Sequence, residues 1–211
     1  MIVKLLGKLA EFSGHRIIPK RTPWYSGPPI PRLAFRHISD ATLLPDREAL
    51  IDTLPHGTGA EIGVAFGDFS EKLLAKSEKL YLVDNWTETR YEAGLRKVRE
   101  RFAGEIAEGR VVIEEGRSIN AFERVPEGLD WVYIDSNHQL ETTRAELAIA
   151  LQKVKPGGII AGHDYTRGNP YTGVPYGVIH AVHEFCIEHE WKIQHLTMEP
   201  DLPRSFSLVK S

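Results

Sequence analysis

Two acids and two histidines carry the most chemical information in the chain. They are Asp135 and His138 in Tyr133-Ile134-Asp135-Ser136-Asn137-His138, and His163 and Asp164 in Ala161-Gly162-His163-Asp164-Tyr165. Each group follows a short apolar run, so Asp135, His163 and Asp164 can converge at one edge of a pocket. Two or three such donors suffice for a divalent cation, and an imidazole among them shifts preference from Mg²⁺ toward Mn²⁺, Fe²⁺ or Zn²⁺. The competing reading is that both aspartates cap strand-to-helix turns and His163 is hydrogen-bonded in the wall.

A second constellation is Glu61-Ile62-Gly63-Val64-Ala65-Phe66-Gly67-Asp68-Phe69-Ser70. Gly63, Ala65 and Gly67 let a ligand approach the backbone closely. The spacing is not the G-x-G-x-x-G of dinucleotide sites, because position 68 is Asp68. Glu61 would repel a pyrophosphate, whereas it suits a ligand end bearing an ammonium and a sulfonium, both of which S-adenosylmethionine has. Twenty-one residues after Gly63 comes Asp84, ending Tyr81-Leu82-Val83-Asp84, where a carboxylate is expected to meet a ribose diol. Asn85 and Trp86 follow; Trp86 either stacks on a base or is a buried structural tryptophan. Glu115-Gly116-Arg117-Ser118 stands where contact with the adenine edge is expected.

These residues need a scaffold that brings strand ends together. From about Asp46 onward, short apolar runs alternate with helical periodicity, which predicts a mainly parallel sheet covered by helices. Expected strands are 59–64, 79–84, 110–114, 129–135 and 158–163. Expected helices are 69–76, 91–102, 141–151 and 178–189, with Lys155-Pro156-Gly157-Gly158 as a turn, and runs 191–196 and 205–209 as a closing hairpin. Val178, Ile179, Val182, Phe185 and Cys186 form the predicted buried stripe of the last helix. His180, His183 and His189 on it are packing or surface residues, since Ile187 breaks a zinc spacing. The loop 165–177, with Tyr165, Tyr171 and Tyr176, either covers a polar ring such as a sugar or is an ordinary connection.

Together, the acid-led loop, Asp84, the 115–118 segment, the 129–135 strand and the 155–158 turn resemble the class I S-adenosylmethionine-dependent methyltransferases over about Asp46 to Ser211. The resemblance implies a Rossmann-like three-layer αβα sandwich with a seven-stranded, mostly parallel sheet and a reversed last strand. It implies methyl transfer from the cofactor, with Glu61, Gly63, Ala65, Gly67, Asp84, Asn85, Trp86, Arg117 and Ser118 binding it. Ala65 replaces the commoner middle glycine, and Arg117 stands where many members carry an acid. The closest motif match is to the metal-dependent sugar and natural-product O-methyltransferases. By that resemblance Asp135, His163 and Asp164 would hold Mg²⁺ or Mn²⁺, with Asp135 and His138 catalytic and His138 the general base. An aliphatic hydroxyl is a poor nucleophile and needs a base or a Lewis acid, which favours oxygen as the acceptor atom. The alternatives are a nicotinamide-dependent oxidoreductase, disfavoured by the loop spacing and the lack of a Tyr-x-x-x-Lys pair, and a non-catalytic scaffold.

Whole-chain properties bound the partners. The 211 residues carry 26 Lys+Arg against 29 Asp+Glu, a formal net charge of −3, so no positive field advertises nucleic acid. A hydrophobic fraction of 42% and a charged fraction of 26% are those of a folded globular chain without a transmembrane segment. One cysteine, Cys186, makes the cytoplasm the default compartment. Residues 1–45 read as an amphipathic helix (Met1 to Phe12) and a proline-rich arm (Ile18 to Pro31), and 46–211 as the catalytic domain. The helix is expected to dock on its own domain or on a sister subunit, with membrane-surface association as the other possibility; Trp24 and Tyr25 of the arm are expected to pack on a neighbouring subunit, as in a homodimer, or on the rim of a substrate pocket. The expected partner is a small hydroxylated acceptor.

Overall fold

The computed structural model describes residues 28–87, 91, 93–169, 172–199 and 203–211. The expected helix over Met1 to Phe12 and most of the proline arm lie outside the described residues, as do Arg90, Pro170 and Tyr171. After a one-turn 3₁₀ helix (Phe35–His37) the elements run β1 (Thr42–Leu44), α1 (Arg47–Asp52), β2 (Gly57–Ile62), α2 (Asp68–Leu74) and β3 (Ser77–Asp84). They continue with α3 (Gly94–Arg101), α4 (Ala103–Ala107), β4 (Val111–Glu115), α5 (Ser118–Arg124), β5 (Leu129–Ile134) and α6 (Leu140–Lys153). The chain closes with β6 (Val154–Gly162), α7 (Val178–His189), β7 (Trp191–Thr197) and β8 (Phe206–Lys210).

All eight strands form one sheet in the order β1-β7-β8-β6-β5-β2-β3-β4. Every pairing is parallel except those of β8, which runs antiparallel to both β6 and β7. The reversed last strand and the closing hairpin are therefore as expected, but the sheet has eight strands rather than seven. The additional strand is β1, which pairs Thr42 with His195 and Leu44 with Thr197. It precedes Asp46, is three residues long and has exposed Leu43, so it lacks the apolar run that marks a strand in sequence.

Side chains alternate across the strands and divide the core into two layers. On one face Leu50, Leu73, Val98, Phe102, Leu80, Leu82, Trp131 and Tyr133 pack under α1 to α3. On the other, Ala60, Ile62, Val83, Val132, Ile134 and Ile160 meet Phe122 of α5, Leu147 of α6 and Val182 of α7. This is the three-layer αβα sandwich. Chain direction reverses between β2, whose successors β3 and β4 lie on one side, and β5, which lies on the other. Ligand crevices form at such a switch point, beyond the carboxyl ends of the strands.

Several local expectations shift. Lys155 to Gly158 is not a separate turn: β6 starts at Val154, and the Pro-Gly-Gly run is absorbed as a register irregularity between Leu129 and Trp131 of β5. Helices α1, α4 and α5 were not expected; they have six, five and seven residues, too short for a clear 3.6 period. On α7 the buried stripe is Val178, Ala181, Val182, Phe185 and Cys186, with Ile179 only half-buried and His180 buried in its place. His180 meets Glu184 at 2.9 Å, and Arg144 of α6 grips the same carboxylate at 2.7 and 2.8 Å, clasping two helices together. The arm reaches the domain at Pro31, whose carbonyl accepts a 2.6 Å hydrogen bond from His183 Nδ1. That fixes the tautomer, so the Tyr165 hydroxyl donates to His183 Nε2, also at 2.6 Å.

Candidate active site

The loop after β2 bends sharply to pass between β3 and β5. Gly63 sits at φ +97°, and a Cβ there would stand 2.1 Å from the Asp135 carbonyl oxygen, so no other residue fits. The loop is held from below by Asp84. Its Oδ2 accepts from the Val64 and Ala65 amides at 2.8 and 2.9 Å, and its Oδ1 from the Asn85 and Trp86 amides at 2.6 and 3.2 Å. The carboxylate expected to meet a ribose diol thus also organises the loops after β2 and β3. Trp86 is 5% exposed and donates from Nε1 to the Ala65 carbonyl at 2.7 Å. Arg117 is exposed at the start of α5, and Ser118, its first residue, is half-buried.

Glu61 is 1% exposed on the face of β2 that looks toward α2, where the Ser70 hydroxyl donates to it. Burial pushes its carboxyl up to about 8, against that hydrogen bond, and the neighbouring Asp135 and Asp84 raise it further. The charge of Arg47 acts in the opposite direction.

Beyond β5 and β6, Asp135, His138, His163 and Asp164 meet. His138 Nε2 lies 2.7 Å from Asp164 Oδ2 and 3.2 Å from Asp135 Oδ1. His163 Nδ1 stands 3.7 Å from one oxygen of each aspartate. The donor atoms that converge within 4.8 Å are those of Asp135, His138 and Asp164, so among the described residues His138, rather than the expected His163, supplies the nearest imidazole. Burial alone would depress His138, yet the hydrogen bonds to both carboxylates outweigh it and lift the imidazole to about 9; His163 is lifted to about 9 by the same two partners. Burial would conversely raise Asp135 and Asp164, but the two histidines hold both below the usual carboxylate range. Two imidazolium and two carboxylate charges balance, and a divalent cation in exchange for two protons would balance them equally. The two carboxylates of this set fit such an ion.

Backbone strain marks the same edge. Among the described residues, the non-glycine residues at positive φ are Ala65, Trp86, His138, Asp164 and Glu190. The first four follow the carboxyl ends of β2, β3, β5 and β6, and Glu190 merely ends α7. Such conformations each cost about 1–3 kcal/mol and persist where the surroundings over-determine them, as at ligand sites. Tyr176 packs on His138 with ring centroids 4.7 Å apart, and the Gly177 amide bonds the His138 carbonyl at 2.8 Å. Tyr165 instead points into the core toward His183, leaving Tyr176 as the described loop aromatic beside the cluster. Sequence reasoning missed Glu146 of α6, which is fully buried and accepts from the Ser136 hydroxyl at 2.7 Å. The available signal was an acid on the same helical stripe as Thr143, Leu147 and Ala150.

The fold and this edge define the class I S-adenosylmethionine-dependent methyltransferase architecture. A family model described as a methyltransferase domain matches residues 60–165, from β2 through the acid and histidine pair after β6, and the chain belongs to that family. No curated protein matches the sequence. Among solved structures, SMU.1697c from Streptococcus mutans in complex with SAH is 17% identical, with a TM-score of 0.59 over 81% of this chain and 100% of that one. The N-methyltransferase NodS from Bradyrhizobium japonicum WM9 in complex with SAH is 14% identical, with a TM-score of 0.59 over 78% and 85% of the two chains. The O-methyltransferase from Bacillus cereus in complex with SAH is 15% identical, with a TM-score of 0.57 over 77% and 78%. The chain spans 52% of the pyocyanin biosynthetic protein PhzM. At these identities the likeness is one of fold, and it extends to enzymes that differ in acceptor atom. No described helix is long and apolar enough to cross a membrane.

Proposed function

We propose that this protein transfers the methyl group of S-adenosylmethionine to a hydroxyl of a small polar acceptor, such as a sugar or secondary metabolite, with a divalent cation at Asp135 and Asp164. The observation that carries the reading is the four-residue cluster Asp135, His138, His163 and Asp164, placed beside the Gly63 loop at the switch point of the sheet. The loop's small residues, Asp84 and Ser118 would seat the nucleoside, and buried Glu61 would balance the cationic end. An overall charge of −3 supports a small-molecule acceptor over nucleic acid.

Methyl transfer is an in-line displacement. An acceptor lone pair forms the O–C bond while the C–S bond breaks, and its electrons return to sulfur as a neutral thioether. Most of the rate gain comes from holding donor and acceptor in line. The hydroxyl proton goes to His138 Nε2. In the cluster as it stands that atom carries a proton held by two carboxylates, so it becomes a base only when their charge is otherwise balanced. A bound cation would supply that charge and Lewis acidity toward the hydroxyl oxygen. Tyr176, tilted against His138, would lend its ring to contact with a sugar.

The test is calorimetric titration with SAH, with chelator and then with Mg²⁺ or Mn²⁺, followed by turnover on a panel of hydroxylated acceptors. The expected result is SAH binding without metal and turnover only with it. His138→Ala should keep SAH affinity and lose about 10²–10⁴-fold in turnover. Absence of SAH binding overturns the donor; wild-type turnover in chelator overturns the cation; wild-type turnover by His138→Ala overturns the base.

A further inference from the structure

Asp164 joins the end of β6 to Tyr165 and holds a left-handed backbone at φ +57°, which a residue with a side chain keeps only where its surroundings impose it. Three contacts fix Tyr165 beside it. Its amide donates to the Arg204 carbonyl at 2.9 Å, its ring packs on Phe206 with centroids 5.8 Å apart, and its hydroxyl donates to His183 Nε2 at 2.6 Å. The Thr166 amide closes on the Asp164 carbonyl at 2.6 Å, and the Tyr176 amide returns to the Arg167 carbonyl at 3.0 Å. One anchored base therefore carries both Asp164 and Tyr176, and both touch His138. His183 accepts from Tyr165 only because its other nitrogen is committed to the arm. Nδ1 gives its hydrogen to the Pro31 carbonyl at 2.6 Å, and burial holds the imidazole below its usual range, so at neutral pH the ring is uncharged and Nε2 is bare. Two residues on, Leu33 packs against the core and keeps that carbonyl in place.

We propose that His183 is a positioning residue through which the N-terminal arm sets the conformation of Asp164. The Pro31 carbonyl selects the tautomer, His183 anchors the Tyr165 hydroxyl, and the anchored Tyr165 keeps the Asp164 carboxylate 2.7 Å from His138 Nε2. For its effect on turnover the inference rests on the reading of Asp164 and His138 given above. Without the arm's acceptor the ring hydrogen is free to move to Nε2, where it opposes the hydrogen of the phenol. Tyr165 then loses its partner, and Asp164 can relax out of its left-handed backbone and draw its carboxylate away. The Gly63 loop and Asp84 are held by contacts that involve none of Pro31, His183 and Tyr165, so the donor end does not feel the change. A segment ahead of the catalytic domain thus completes the acceptor end of the site.

The experiment compares the wild type with Tyr165→Phe, His183→Ala, His183→Gln and Leu33→Ser, with thermal melts to establish folding. The readouts are SAH affinity by calorimetry, kcat on hydroxylated acceptors, and NMR of the Thr166 amide exchange and the His183 ring nitrogens with no metal added. Tyr165→Phe keeps the ring and its packing and removes only the hydroxyl. Tyr165→Phe and His183→Ala should each lose about tenfold in Thr166 protection and in kcat, with SAH affinity unchanged. His183→Gln, whose amide donates to Pro31 and accepts from Tyr165, should recover most of both. Leu33→Ser should move part of the His183 hydrogen to Nε2 and loosen Thr166 in step. Wild-type exchange or wild-type kcat in folded Tyr165→Phe overturns the proposal, as does a folded His183→Gln protein no better than His183→Ala. A folded Leu33→Ser protein with His183 and Thr166 as in the wild type overturns the part given to the arm. A wild type that turns over no acceptor removes the methyl-transfer reading instead, and the exchange pattern then decides the anchoring by itself.

Discussion

Glu61 shows how a single buried residue links stability to ligand binding. Its carboxyl is raised from about 4.5 in the unfolded chain to about 8 in the fold, so the folded state keeps a proton that the unfolded state releases. The stability this contributes is complete below pH 4.5 and is lost as pH rises toward 8, at no more than about 1.4 kcal/mol per pH unit. Glu61→Gln has no proton to lose. Urea denaturation of both proteins at pH 5.5 and pH 8.5 should show the variant gaining on the wild type at the higher pH, and a gap independent of pH would show that Glu61 is ionised in the fold. Above pH 8, where the wild-type side chain is ionised, the same variant should bind SAH more weakly, because an amide cannot balance an ammonium. Glu61 and Asp84 were legible in sequence as acids at strand ends. That Asp84 accepts four backbone amides was not, because those amides belong to loops twenty residues apart.

Among the elements, the β2–α2 turn is the most constrained. Gly63→Ala forces a side chain into positive φ and drives its Cβ onto the Asp135 carbonyl, which is backbone and cannot step aside. A loss of more than about 2 kcal/mol is expected, read from urea midpoints. A smaller loss would mean that the β2 and β5 loops are not locked together. The long strands and helices could be read from the sequence because their burial imposes a period of 2 or 3.6 over many residues. The helices α1, α4 and α5 and the three-residue β1 could not, since a piece of five to seven residues holds its shape through tertiary packing more than through propensity. Lys155 to Gly158 misled for a related reason: Pro-Gly-Gly favours a turn, but β5 alongside draws the segment into the sheet as an irregularity.

For the molecule as a whole, the two apolar layers on either side of one sheet predict cooperative unfolding, and Cys186 reports on it. The thiol is fully buried in the layer beneath α7, and burial pushes it up to about 12. An aromatic disulfide reagent should therefore label it only as the protein unfolds globally, with a labelling rate that follows the urea unfolding curve. Rapid labelling in the native state would show that α7 opens on its own. The alternation of apolar runs and amphipathic helices determined by itself the αβα sandwich, and the small-residue loop after an acid, with the acids and histidines at strand ends, marked the edge of it that carries the candidate site. These are local patterns, written in residue types a few positions apart. Only the tertiary structure decided that His138 rather than His163 stands nearest both aspartates, that Tyr165 faces the core while Tyr176 packs on the cluster, and that Glu146 accepts from Ser136. Each of these depends on the angle at which a strained loop leaves its strand and on which helix packs behind it, and no spacing in the chain encodes that angle.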